Sequence, residues 1–238
     1  GITAEMTATN RVGLHRYTFP QSEEAGIVIN LMNGGCWDRP MDAQIERVDP
    51  MTGQPDPNGQ ALRGYRYSRG WADDQKVYFY AEFSKPFKDF KVIRGDIQIW
   101  QDEFKDMAAF AHAYFEAEPQ EQIMMKVALS PVSMEGAYAN MKAELSGWDF
   151  EATAKAAKQV WNEELGKIKI EGKDKEDLKI FYTALYHAMI APSTFCDVDG
   201  SYRGADGQTY ENPGYQTYTT FSLWDTYRAA MPLYSIFQ

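Results

Sequence analysis

The sequence contains 238 residues, of which 44% are hydrophobic and 24% are charged, and this composition excludes wholesale disorder and a collagen-like repeat. The net charge of −10 disfavours binding to nucleic acid or to an anionic membrane, because both attract basic surfaces. No apolar run reaches the roughly 18 residues that a membrane-spanning helix needs. An acidic protein of this kind suits a neutral substrate or a bound cation.

The first half of the chain has the pattern of β-structure. Residues 27–32 predict one strand, and residues 60–69 alternate apolar and polar positions, which predicts another. After a polar turn, residues 76–84 (KVYFYAEFS) alternate so strictly that one face of the strand is expected in a core. Residues 50–59, rich in Gly, Pro, Asn and Asp, predict a long loop.

Two further hairpins are predicted downstream. One joins residues 90–93 to residues 97–100 through an Arg-Gly-Asp turn, and the other joins residues 108–117 to residues 123–129 through the turn at 118–120. Short strands separated by turn residues are typical of an antiparallel β-sandwich rather than a parallel sheet.

Helical spacing replaces the strand pattern near residue 134. Ser146 and Asp149 have the spacing of a capping box between the first two helices. Residues 195–218 predict a polar loop or hairpin. The predicted helices cover residues 135–145, 150–165 and 174–190, and a last helix begins near Ser222. Strands first and helices second indicate an α+β, multidomain chain.

Cysteine and histidine give little indication of chemistry. Cys36 and Cys196 lie far apart, which favours two buried free thiols over a metal site or a disulfide framework. The three histidines, at positions 15, 112 and 187, form no zinc-binding pair.

The acidic stretch from Asp197 to Gly207 (DVDGSYRGADG) has two interpretations. Acidic residues at alternate positions among glycines resemble a calcium loop. That pattern requires Asp or Asn at position 201 and Gly at position 202, where the chain has Ser201 and Tyr202. Two Asp-Gly turns that flank a short strand are therefore the favoured interpretation.

The stretch FSLWDTYR at residues 221–228 also has two interpretations. The Asp225 carboxylate can accept hydrogen bonds from two vicinal sugar hydroxyls while the Trp224 indole covers the apolar face of the ring. Alternatively, Ser222 and Asp225 form a capping box, and Asp225 pairs with Arg228. Spacing alone favours the second, structural interpretation.

The aromatic hairpin around Trp71, Tyr78 and Tyr80 is a third candidate. Its exposed face could form a carbohydrate platform, although packing beneath the helices or against a second sheet is the favoured interpretation. With 34 acidic residues, spacing does not select the two carboxyl groups that glycoside hydrolysis requires.

The second half of the chain resembles glycoside hydrolase family 92. The resemblance rests on the order and spacing of FYTALYH at 181–187, Pro192, DVDGSYRG at 197–204, FSLWDTYR at 221–228 and Pro232-Leu233, whereas GYRYS at 64–68 fits the family's N-terminal domain more loosely. The resemblance implies a bacterial exo-acting α-mannosidase that inverts anomeric configuration and depends on calcium. It also implies an N-terminal β-sandwich, linker helices and a C-terminal (α/α)6 barrel.

The same resemblance implies roles for individual residues. Trp224 and Asp225 would line the mannose pocket and Arg228 would orient Asp225, whereas the general acid, the general base and the calcium ligands would lie beyond this chain. The substrate would be a mannose-containing oligosaccharide met in the periplasm or outside the cell. The implied domains are residues 1–133 for the later part of the sandwich, 134–172 for linker helices and 173–238 for the start of the barrel.

The apolar stretch at residues 231–238 is expected to be buried, which predicts that the chain is a fragment of a longer enzyme. Two other hypotheses remain: a self-sufficient carbohydrate-binding module built on the sandwich, and a structural domain without a ligand. Calorimetry with mannose and mannobiose separates them, because binding without turnover supports the module.

Overall fold

The computed structural model describes residues 1–34, 37–99 and 103–237. The predictions of a free thiol at Cys36 and of a strand end at residue 100 lie outside these ranges, as does Gln238. The strands are β1 (Thr3–Ala8), β2 (Val12–Phe19), β3 (Ser22–Asn30), β4 (Arg39–Val48), β5 (Ala61–Arg69), β6 (Gln75–Phe83), β7 (Asp89–Gln98), β8 (Phe104–Ala117), β9 (Glu121–Ser130), β10 (Tyr202–Arg203) and β11 (Thr209–Tyr210). The helices are α1 (Met134–Glu144), α2 (Phe150–Leu165), α3 (Lys175–Met189), α4 (Leu223–Thr226) and α5 (Ala230–Phe237).

The first nine strands form an antiparallel sandwich. A six-stranded sheet in the order β1-β2-β9-β6-β5-β4 faces a three-stranded sheet in the order β3-β8-β7. The core between the sheets takes apolar side chains from both, including Leu62, Phe79 and Ile123 from the larger sheet and Ile27 and Phe115 from the smaller. The predicted order of a β-sandwich followed by helices is confirmed.

The predicted hairpin at residues 90–100 is wrong. Strand β7 runs without a turn from Asp89 to Gln98 and pairs with β8, and Gly95 lies opposite Met107. The register shifts between Ile93 and Arg94, which marks a bulge. The Arg-Gly-Asp triplet that suggests a turn in the sequence therefore follows an irregularity inside a continuous strand.

The predicted pairing of β8 with β9 is also wrong. Strand β8 pairs with β3 and β7, whereas β9 pairs with β2 and β6 in the other sheet. The turn between them, in which Gln120 has φ of 63°, crosses from one layer of the sandwich to the other. Both strands point apolar side chains into the same core from opposite sides, so their sequence pattern resembles that of a hairpin.

Helix α1 covers the outer face of the six-stranded sheet. Val12, Leu14 and Tyr80 on that face pack against Ala137 and Met141 of the helix. The strict alternation in β6 is thus explained, because Phe79 and Ala81 enter the sandwich core whereas Tyr80 between them meets the helix.

Helices α2 and α3 begin at aspartate N-caps. Asp149 Oδ1 accepts a hydrogen bond from the Ala152 N–H at 2.9 Å, so Asp149 is itself the N-cap and the predicted capping box with Ser146 is wrong. Along α2 only Phe150 and Thr153 are buried, and along α3 only Leu185 is buried, within the residues described. The other residues of the apolar stripe on each helix are only partly buried. None of the described helices is long and apolar enough to cross a bilayer.

A buried ion cluster joins α1 to the sheet. Lys126 on β9 is 1% exposed, and its Nζ lies 3.0 Å from Glu82 Oε2, while Lys142 Nζ of α1 lies 2.5 Å from Glu82 Oε1. Lys126 also donates to the Leu145 carbonyl at 3.2 Å and lies 4.3 Å from the centre of the Trp148 ring. Burial raises the pKa of Glu82, but hydrogen bonds from the two lysines outweigh this effect and leave the pKa below its ordinary value.

Candidate functional site

A long groove of about 1270 Å3 lies between the sandwich and the segment at residues 193–220. Its sheet wall includes Gly13, His15, Val127 and Leu129, which share the core-facing side of the six-stranded sheet. The turn between β5 and β6 forms a second wall, and the 193–220 segment forms the third. The groove therefore combines an apolar sheet surface with polar loops.

The 193–220 segment leaves α3 and returns to its own starting point. The Phe195 N–H donates to the Thr217 carbonyl at 2.8 Å, and the Thr219 N–H donates to the Ser193 carbonyl at 2.8 Å. Between these ends β10 pairs with β11. Gly200 and Gly207 have φ of 86° and 78°, as expected for two turns on either side of the short strand β10. This geometry agrees with the favoured interpretation of the acidic stretch as two Asp-Gly turns.

Asp197 anchors the segment to the sandwich. The side chain is 3% exposed and accepts hydrogen bonds from Ser130 Oγ at 2.8 Å and from Asn140 Nδ2 at 2.7 Å. Asn140 Oδ1 in turn accepts the Val198 N–H at 2.8 Å. Burial raises the pKa of Asp197, although the hydrogen bonds from Asn140 and Ser130 oppose that rise. Both carboxylate oxygens are thus engaged in holding β9, α1 and the segment together.

Arg11 forms a second anchor. Its Nε donates to the Cys196 carbonyl at 2.6 Å, and its Nη1 pairs with Glu144 Oε1 at the end of α1 at 2.6 Å. Cys196 is a buried free thiol, as predicted. The guanidinium therefore links the entrance of the segment, the start of β2 and the end of α1 in one place.

An ion pair joins the two side walls of the groove. Arg203 Nη2 of β10 lies 2.8 Å from Asp74 Oδ2 in the turn between β5 and β6. The Arg203 side chain is only 12% exposed, whereas that of Asp74 is 58% exposed. Lys76 Nζ approaches the same carboxylate at 3.3 Å. This contact fixes the separation of the two walls.

His15 lies on the sheet wall of the groove. Its Nδ1 is 2.8 Å from the Tyr17 hydroxyl, and burial lowers its pKa, so the imidazole is neutral at pH 7. Because Nδ1 is engaged with Tyr17, only Nε2 of the neutral imidazole is left for a ligand in the groove, and it donates or accepts one hydrogen bond according to the tautomer.

The predicted sugar-binding residues follow the last groove-lining residue in the sequence. The groove lining ends at Thr220, and Trp224, Asp225 and Arg228 follow on and after α4, where all three are exposed. Trp224 is 74% exposed. The structure thus brings Trp224 and Asp225 together on one short helix, open to a ligand, but it does not place them in the groove lining.

The structural interpretation of the same stretch is not supported. Ser222 is the N-cap of α4 but makes no side-chain cap hydrogen bond. Within the described residues Asp225 and Arg228 form no ion pair; Arg228 Nε donates to the Tyr227 hydroxyl at 2.8 Å instead. Neither the capping box nor the pairing accounts for Asp225, and the orienting role of Arg228 stays a prediction.

The aromatic hairpin divides into three environments. Tyr80 is fully buried beneath α1, as the favoured interpretation predicts. Tyr78 packs against Tyr65 and Tyr67, with ring centres 6.3 and 5.9 Å away. Trp71 in the turn is 76% exposed and does not pack beneath any layer of the described structure.

Metal-binding groups do not cluster in the described part of the chain. Within residues 1–34, 37–99 and 103–237, no three acidic, histidine or cysteine side chains lie close enough together to hold a metal ion. Asp197, the first residue of the stretch that resembles a calcium loop, uses both oxygens for Ser130 and Asn140. The residues of this stretch do not by themselves fit a calcium site.

The long-range contacts that build the groove leave no local pattern in the sequence. Arg11 and the Cys196 carbonyl it holds are 185 residues apart along the chain, and local spacing carries no sign of such a contact. Arg203 stands in one of the family-like blocks, but its partner Asp74 is 129 residues away. The buried state of Asp197 is likewise visible only in three dimensions.

Two domain models of one glycoside hydrolase family match this chain. Residues 1–130 match the N-terminal domain of glycosyl hydrolase family 92, and residues 136–238 match the catalytic domain of the same family. The two matched domains are those of a glycoside hydrolase. The chain belongs to glycosyl hydrolase family 92.

Solved structures and a curated relative agree with this assignment. A family GH92 α-mannosidase from Bacteroides thetaiotaomicron, solved also with mannoimidazole, is 32% identical, with a TM-score of 0.85 over 98% of this chain. An inverting mannosidase of the same family and species is 26% identical, with a TM-score of 0.79 over 99% of this chain. An uncharacterized secreted glycosidase from Arthroderma benhamiae is 26% identical over 96% of this chain. This chain spans 30–31% of the length of these proteins.

Proposed function

We propose that this chain contributes to an exo-acting, inverting α-mannosidase that removes terminal α-linked mannose from glycans. The observation that carries the proposal is that both family domains match along the chain while Trp224 and Asp225 stand exposed together on α4. Mannosidases among the similar structures, one described as inverting and one solved with mannoimidazole, support the substrate class.

Trp224 and Asp225 supply binding chemistry in this proposal. The indole presents an apolar face to the C–H groups of mannose, and the carboxylate accepts hydrogen bonds from two neighbouring hydroxyls. A hydrogen bond to a charged group contributes about 1.5–3 kcal/mol, so Asp225 can orient the terminal sugar. Arg228, three residues further along the chain, would orient Asp225 in this proposal.

In this proposal, the general acid and the general base lie in the part of the enzyme that corresponds to the uncovered length of the relatives. Inversion requires one carboxylic acid to protonate the leaving oxygen and one carboxylate to activate water on the opposite face of the sugar. The two carboxyl groups of such a pair stand roughly 6.5–9.5 Å apart, which leaves room for that water. Calcium dependence belongs to the proposal for the whole enzyme, with ligands from outside the described residues. Secretion or a periplasmic location is proposed because one relative is described as secreted.

The proposed domain limits are those expected from the sequence, with the sandwich at 1–133, linker helices at 134–172 and the start of the catalytic barrel at 173–238. A carbohydrate-binding module is the second candidate, and the exposed Trp71 is the observation that favours it. The module and the enzyme differ in one measurable respect, since a module binds mannosides without hydrolysing them in any context.

The test compares Asp225→Asn with Asp177→Asn in the whole enzyme. Asp177 is a matched control, because it is an exposed aspartate in the first turn of α3. We expect kcat/KM for α-mannobiose to fall by about 10–100-fold for Asp225→Asn, from loss of a charge-assisted hydrogen bond, and to be unchanged for Asp177→Asn. The anomer released first, observed by NMR, reports inversion. Equal activity of both variants would exclude the role given to Asp225, and mannoside binding without hydrolysis by the whole enzyme would support the module.

A further inference from the structure

Two tryptophans form an exposed corner at one end of the six-stranded sheet. Trp37 and Trp71 are 66% and 76% exposed, their ring centres are 6.5 Å apart and their planes meet at 77°. They stand beside a pocket of about 380 Å3. The pocket is lined by Trp37, Arg39, Met41, Arg69, Gly70 and Ile99. We propose that this tryptophan corner binds a neutral pyranose ring, as a second carbohydrate site of the protein.

Among the described tryptophans, Trp37, Trp71 and Trp224 are highly exposed, whereas Trp148 and Trp161 pack against other side chains. Trp148 lies against the Lys126 ammonium, 4.3 Å from the ring centre, and Trp161 packs against Tyr186 with ring centres 4.7 Å apart. Trp37 and Trp71 instead contact each other edge to face and leave ring surface open to solvent. Two indole planes near a right angle fit a sugar ring, because one indole can cover its C–H face while the other borders its edge.

The corner is held in place by buried contacts. Arg66 Nη1 pairs with Asp38 Oδ2 at 2.5 Å, and Arg66 Nε donates to the Leu31 carbonyl at 2.7 Å. Gly70 packs so closely on this loop that a Cβ at position 70 would lie 2.7 Å from Asp38 Cβ. The loop carrying Trp37 and the turn carrying Trp71 are therefore fixed against each other before any ligand binds, which reduces the entropy lost on binding.

The rim of the corner supplies hydrogen-bond donors. The guanidinium groups of Arg39 and Arg69 donate and do not accept, which suits the hydroxyl oxygens of a sugar. Arg69 Nη2 lies 3.5 Å from Asp73 Oδ1, so its guanidinium group has a carboxylate beside it. The Asp73 side chain is 92% exposed, so this contact can rearrange around a ligand. A volume of about 380 Å3 lies at the small end of ligand pockets, which suits one or two sugar rings.

The corner and the long groove share the turn between β5 and β6. Gly70 lines the corner, and residues 72–77 line the groove. A glycan held in the groove can therefore extend along this turn towards the corner; only this joint occupancy rests on the proposed mannosidase function.

The test uses the whole protein labelled with 5-fluorotryptophan, in which single substitutions assign the fluorine signals of individual tryptophans. Trp37→Phe and Trp71→Phe assign the two signals of the corner, and Trp161→Phe is the matched control. We expect titration with α-mannotriose to shift the Trp37 and Trp71 signals saturably, with a dissociation constant on the order of 1 mM. Trp71→Ala is expected to weaken the affinity read at Trp37 by about tenfold, while the unchanged Trp148 signal shows that the variant is folded.

Each outcome decides a separate question. Signals at Trp37 and Trp71 that stay unmoved, or that move equally with glycerol, would overturn the second site. A shift caused by mannose 6-phosphate alone would overturn its assignment to a neutral sugar. The Trp224 signal reports the proposed mannose contact independently, so movement there without movement at the corner leaves the mannosidase proposal intact and refutes this inference.

Discussion

Substituting Glu82 by glutamine tests the buried ion cluster between the sheet and α1. Glutamine keeps the shape of the side chain but removes the charge that faces Lys126 and Lys142. Lys126 is 1% exposed and has no route to water without disturbing the sheet. The variant therefore leaves the Lys126 ammonium group buried without its carboxylate partner. Such an uncompensated buried charge lowers the free energy of unfolding more than most single substitutions do.

The magnitude follows from what Lys126 retains. Loss of one partner of a buried ion pair costs about 3–5 kcal/mol. Lys126 keeps the Leu145 carbonyl at 3.2 Å and the Trp148 ring at 4.3 Å, so the lower end is expected, about 3 kcal/mol. For a chain of 238 residues this corresponds to a fall in Tm of about 6–12 °C.

Urea unfolding of wild type and Glu82→Gln measures the difference in the free energy of unfolding, and an equal slope m for the two proteins makes their midpoints comparable. Glu116→Gln is the matched control, because the Lys88–Glu116 pair is exposed and its loss is expected to leave the midpoint unchanged. The double variant Glu82→Gln with Lys126→Met is expected to recover most of the loss, because no charge remains buried. A midpoint for Glu82→Gln equal to that of the control would refute the reasoning.

The same cluster sets the sign of a pH dependence. The pKa of Glu82 is lower in the folded protein than its ordinary value, so its contribution to stability is present above the unfolded pKa of about 4.3. That contribution is lost as the pH falls through the lower, folded pKa. The stability gap between wild type and Glu82→Gln is therefore expected to narrow below about pH 4.

Two further predictions concern the 193–220 segment. Gly136→Ala is expected to destabilise the protein by about 1–3 kcal/mol, because the new Cβ would lie 2.1 Å from Oδ2 of Asp197, the buried carboxylate that anchors the segment. Gly147→Ala is the control in the same urea unfolding assay, because its new Cβ has nothing within 4 Å. Equal unfolding midpoints for the two variants would contradict this packing. Arg203→Met removes the ion pair to Asp74 and is expected to speed protease cleavage within residues 199–208, whereas Arg94→Met, which breaks an exposed pair in the smaller sheet, is expected to leave that rate unchanged.

The sequence predicts elements where the periodicity is local and unambiguous. Strand β6 and helix α2 agree with their predicted ranges to within one residue, because apolar positions repeat strictly in the one and helical spacing persists in the other. Pairing between strands is a different matter. The pattern of β8 and β9 is the same whether they form a hairpin or face each other across a core, and only the three-dimensional arrangement distinguishes the two.

In the candidate site, too, adjacent residues are recognisable from the sequence whereas contacts between distant residues are not. Trp224 and Asp225 are adjacent in sequence, so a family-like block was enough to select them. Asp197 was also visible as part of an acidic stretch, but its role depends on Ser130 and Asn140, which approach from other elements. A carboxylate that holds a loop and one that binds an ion have the same local sequence, and burial separates them.

Strand β9 occupies the middle of the larger sheet, although it is the last strand of the sandwich to be synthesised. Until it emerges from the ribosome, the β1–β2 hairpin and the β4–β5–β6 meander each expose an unsatisfied edge where β9 will insert. The sheet therefore closes in one late step that joins residues more than a hundred positions apart in the case of β2. A nascent chain of this protein must remain protected from aggregation until nearly the whole sandwich has been translated.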